Sequence, residues 1–191
     1  APGALLAAGL LPCDPRSLAA HMLQPGLLTA VAAPLLVLGQ PLILALRVAP
    51  ASARRRFYRA TDRLRALLDP WILLAWFVAI QWLAHWPAVL DAAEARPPLH
   101  AGLHLLLLVS AVAFYLPVLG RQPVPRRLGS GRAVAHLAIA SVLVDLISVP
   151  YLAGGHGDAA ASMPAAMSPL ALVAAAIGLH GILREEQELR R

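Results

Sequence analysis

The chain has 191 residues, 59% of them hydrophobic and 14% charged, with a mean hydropathy of +0.68. Soluble domains are about 45–50% apolar and about 25% charged, so this composition excludes an ordinary soluble domain and fits a protein with several membrane spans. The pI near 11.0 does not indicate a nucleic-acid partner, because all sixteen basic residues are arginine and they crowd into a few short stretches.

Residues 1–16 form an N-terminal apolar segment whose opening, APGALLAAGLL, is too short to span a bilayer. It reads as a partial helix or the remnant of a targeting segment. It contains Cys13, and a single cysteine excludes an intrachain disulfide. The transmembrane domain runs over 17–184. Its first candidate span, about 17–47, contains Pro25, Pro34 and Pro41, which predict kinks or a break. The stretch 53–69, ARRRFYRATDRLRALLD, reads as a basic amphipathic helix at the membrane interface, with Phe57, Leu64 and Leu68 on one side. Segment two is about 70–88, with tryptophans toward both ends. A short loop, DAAEARPP, leads to segment three, about 99–120. The turn-rich RQPVPRRLGSGR leads to segment four, about 133–153. A glycine-rich loop precedes segment five, about 168–183, and a charged tail, 185–191, ends the chain. The expected fold is an all-α polytopic membrane bundle of about five full spans plus the partial N-terminal one.

With these spans, fourteen arginines fall on one side and only Arg16 and Arg96 on the other. The positive-inside rule makes the arginine-rich side cytoplasmic, so the C-terminus is cytoplasmic and the loops near Glu94 and His156 are external. His21, His85, His100 and His104 then lie at the outer ends of segments one, two and three. Histidine is costly within a bilayer, and four at one depth point to function. The i, i+4 spacing of His100 and His104 places both on one helical face, as a two-point chelate requires. Met22 is a weaker candidate, as are His156, Met163 and Met167, whose loop positions are not held by such spacing. Imidazole with thioether donors suits copper. His136 and His180 fall on the cytoplasmic halves of their helices and read as packing or interfacial residues. Asp145 is the one acid deep within a span, with either a proton role or a hydrogen bond to Ser141 or Ser148. No nucleophile elbow, phosphate loop or carboxylate pair is present, so an enzyme is not expected.

Several pieces resemble the CtaG family of cytochrome c oxidase assembly factors: LAAHMLQPGLL (18–28), APLLVLGQPL (33–42), LAHWPAVL (83–90) and PLHAGLHLLLLVSAVAFYLPVLGRQPVPRRL (98–128). The resemblance covers about 110 residues and aligns His21 with the first His of an HMxQH motif. It aligns His85 with a His–x–Pro motif, and His100 and His104 with an HxxxH motif. Pro25 stands where the first motif has its second His. Asp158 lacks the Gln that usually stands beside it. The resemblance implies a bacterial inner-membrane protein that takes copper at the outer face and passes it to an oxidase subunit. The rival readings are a membrane haem protein carrying electrons, and a diverged relative or transporter that does not deliver copper. Two haem ligands must approach iron from opposite faces, which a His100–His104 pair on one helix does not do.

Overall fold

The computed structural model describes residues 24–120, 126–154 and 173–177. Every regular element among them is helical. The expected 1–16 segment, most of the fifth span and the tail 185–191 lie outside the described residues.

The prolines shape the helical run Gln24–Val48 by elementary sterics. The ring of Pro34 would collide with the carbonyl four residues back, that of Ala30. The chain widens into a π turn over Leu28–Ala32, closed by the Ala33 N–H on the Leu28 carbonyl. Thr29 Oγ1 donates to the Pro25 carbonyl at 2.9 Å. Helix α1 (Ala33–Gly39) stops where Pro41 disfavours helical geometry in the residue before it. Gln40 moves to a left-handed φ of 54°, and its N–H closes on the Val37 carbonyl. Helix α2 (Pro41–Val48) restarts on the proline and buries none of its residues.

Helix α3 (Ala51–Arg63) is the basic helix. It ends before the expected residue 69, with turns over 64–68, because Asp69 must be extended to cap the next helix. Phe57, Leu64 and Leu68 do share one side, lining a recess against α2. Helix α4 (Pro70–Ala84) begins with Asp69 Oδ1 accepting the Trp71 N–H at 3.0 Å, while Oδ2 accepts from Arg126 at 2.7 Å. It ends short of the expected residue 88. Pro87 has no N–H for the Leu83 carbonyl, so the Trp86 N–H turns to it at 3.2 Å. The axis bends by 64° into α5 (Pro87–Glu94). The stretch expected as a loop is therefore helical as far as Glu94. Ala92 and Ala93 favour helix, and Ala93 is buried.

Helix α6 (Pro97–Leu119) has 23 residues, about 34 Å at 1.5 Å per residue, enough to cross a bilayer. It is the hub, packed against α4, α1, the π turn and α5. Phe77 of α4 stacks on Phe114 of α6 at 4.4 Å, both fully buried. Small residues at the helix contacts, Ala33, Ala111 and Ala140, let backbones approach closely, which is how helices hold together in lipid. Helix α7 (Ser130–Asp145) packs on α4 and resumes after a short break as α8 (Ser148–Ala153). The break lies where Pro150 would crowd the Leu146 carbonyl. Trp82 Nε1 donates to the Leu143 carbonyl at 3.0 Å, tying α4 to α7.

Among the described residues, three helical runs are long and apolar enough to cross a membrane: Gln24–Val48, Pro97–Leu119 and Ser130–Ala153. The bent pair α4–α5 makes a fourth if it counts as one span. Five spans were expected. Of the fifth, only Val173–Ile177 is described, helical and packed on the core. Leu105, Val109, Val142 and Val149 are each more than half exposed, an apolar exterior suited to lipid.

Candidate metal centre

His85 caps the end of α4, and His100 and His104 lie in the first two turns of α6. These helices are joined through α5, so the end of one meets the start of the other. The Asp69–Arg126 pair marks the opposite end of α4. At i, i+4 on α6 the His100 and His104 rings are 4.4 Å apart between centroids, edge to face at 62°. His85 and His104 are buried and His100 is half-buried. All three line one recess of about 20 Å³ together with Pro25, Ala93 and Leu103. A water needs about 10–15 Å³, so the recess admits one small occupant.

Two contacts hold His85. Its Nδ1–H donates to the Gln81 carbonyl at 2.7 Å. A carbonyl only accepts, so the neutral ring carries its lone pair on Nε2. Bonds of this kind orient imidazoles that bind metals. Tyr151 Oη, from α8, donates to the His85 carbonyl at 2.6 Å. The usual donor to that carbonyl, the Val89 N–H, goes to Trp86 at 2.9 Å because of the break. A fourth helical run therefore fixes the corner that carries the histidine.

Sequence reasoning missed Gln81 and Tyr151. Gln81 had a signal: a buried amide one turn before His85, in an otherwise apolar helix. Tyr151 had none, since its partner is 66 residues away. Pro25 lines the recess, and proline brings no donor atom to it. His21 lies outside the described residues, as do Cys13, Met22, His156, Met163, Met167 and His180. Among the described residues, no three His, Cys, Asp or Glu side chains are placed to hold a metal ion. The described part of the site is thus a recess shared by three imidazoles, that of His85 held by the Gln81 carbonyl, not a closed coordination shell.

Asp145 is not among the residues lining the recess. Ser141 Oγ donates to its carboxylate at 3.5 Å, and Ser148 Oγ to its backbone carbonyl at 2.6 Å. His136 has the packing role expected of it. It is fully buried, stacked on Phe114 at 4.7 Å and edge-on to Trp71 at 5.7 Å.

No curated protein and no solved structure matches the chain. The family model described as cytochrome c oxidase caa3 assembly factor matches residues 4–177, a stretch that takes in His21, the recess and every helix described above. The chain belongs to the cytochrome c oxidase caa3 assembly factor family.

Proposed function

We propose that the chain holds copper as cargo at the outer membrane face and passes it to a cytochrome c oxidase subunit during assembly. The observation that carries this reading is the convergence of His85, His100 and His104, from two helices, on one small buried recess. The resemblance adds His21 as a further ligand, and Met22, next to it in the sequence, would be a soft donor for Cu(I). Delivery needs a site that binds and releases. Two or three imidazoles exchange ligands more readily than a closed thiolate cage. The role is one of binding and transfer rather than catalysis.

The orientation rests on the sequence: with the spans assigned from it, fourteen of sixteen arginines share one side, which the positive-inside rule makes cytoplasmic, with the C-terminus. The haem alternative is disfavoured by geometry, since His100 and His104 share one helix and could not approach iron from opposite faces. Copper titration against a competing chelator tests the proposal. His85→Ala, His100→Ala and His104→Ala should each weaken binding at least about tenfold, the scale of losing one ligand or its support. His136→Ala should leave copper affinity unchanged. Equal affinity in all four variants would remove copper from the recess.

A further inference from the structure

A second recess, of about 450 Å³, opens at the arginine-rich end, between α2, α3 and the last turns of α6. The break between α1 and α2, the left-handed Gln40 followed by Pro41, forms part of its wall. Neither α2 nor α3 buries a single residue, so these helices do not close onto the bundle. The walls are apolar except for Gln40 and Thr61, and the Thr61 hydroxyl already donates to the Tyr58 carbonyl at 2.8 Å. Along α6 the recess reaches from Gly120 up to Val112. Eight residues at about 1.5 Å each make about 12 Å, close to the roughly 15 Å of half a bilayer's hydrocarbon core.

The rim has the opposite character. Phe57, Ala60, Thr61 and Leu64 face the recess. At about 100° per residue, Arg54 falls on one shoulder of that face and Arg56 and Arg63 on the other. Residues 51–65 hold six arginines and one acid, Asp62. The only ion pair among the described residues is Arg126–Asp69, so none of the six has a carboxylate partner there. Guanidinium groups bind phosphate by paired hydrogen bonds.

We propose that this recess binds one anionic phospholipid, its acyl chain between α2, α3 and α6 and its phosphate on the arginine shoulders of α3. The site lies at the far end of the bundle from the histidines and does not depend on the copper reading.

The test uses the full chain in mild detergent, with bound lipid counted by native mass spectrometry. Phosphatidylglycerol and phosphatidylcholine of identical chains are compared, with inorganic phosphate as a competitor. The expected result is one phosphatidylglycerol per chain, preferred roughly five- to thirtyfold, the weight of one to two arginines at an anionic headgroup. Phosphate alone should not displace it. The double variant Arg56→Gln/Arg63→Gln should lose the preference. Ala60→Phe, at an exposed position on the rim, should lower occupancy by obstructing the recess. Equal retention of the two lipids would overturn the proposal. So would undiminished phosphatidylglycerol in Ala60→Phe, or full displacement by phosphate.

Discussion

Replacing Tyr151 with Phe removes one oxygen and leaves the ring packing in place. That oxygen gives the His85 carbonyl a 2.6 Å bond at the corner where the Val89 N–H is diverted to Trp86. A buried acceptor stripped of its donor costs about 1–3 kcal/mol, whereas hydrogen bonds between membrane helices average about 0.6 kcal/mol. A loss near 1 kcal/mol is therefore expected, about 2–4 °C in the thermal midpoint for a chain of this size. If the bond also aims His85, copper affinity should fall about fivefold. Tyr115→Phe is the matched control. The Tyr115 hydroxyl is fully buried and has no hydrogen-bond partner among the described residues, so its removal should be neutral or stabilising. Thermal unfolding in detergent and a chelator competition read the two effects. Equal responses from the two tyrosine variants would refute the reasoning, because the hydroxyl bond is what separates them.

Asp69→Ala removes both the cap of α4 and its pair with Arg126, whereas Arg126→Ala removes only a partly exposed pair. The first should cost about 1–2 kcal/mol and the second less than about 1 kcal/mol, measured from denaturation midpoints. Pro25 lines the recess, so Pro25→His should bind copper more tightly than Pro25→Ala, the control that removes the proline without adding a ligand. Indistinguishable titrations of these two variants would place residue 25 outside the coordination sphere. In a Cys13→Ser background, Glu94→Cys should react with an impermeant thiol reagent in intact cells and Arg127→Cys should not. The reverse pattern would invert the orientation.

The helices and their order were legible because apolar runs of about 20 residues have few alternatives in a membrane. The basic helix was legible from the spacing of Phe57, Leu64 and Leu68, and the recess from the shared depth of His85, His100 and His104. What escaped depended on contacts distant in sequence or on how a proline resolves its clash. Pro87 was visible, yet not that the axis would bend by 64° there and divide the span into α4 and α5. The DAAEARPP stretch was expected as a loop, yet alanine's helix propensity and the burial of Ala93 carry helix as far as Glu94. Pro34 and Pro41 announced breaks, but not that one would become a π turn and the other a left-handed residue in the wall of a recess.

The most direct measurement is X-ray absorption at the copper edge on the loaded full-length protein, paired with His104→Ala. Copper held in the histidine recess predicts imidazole nitrogens in its first shell and the loss of imidazole scattering in the variant. A first shell without imidazole, or one unchanged by His104→Ala, would contradict it.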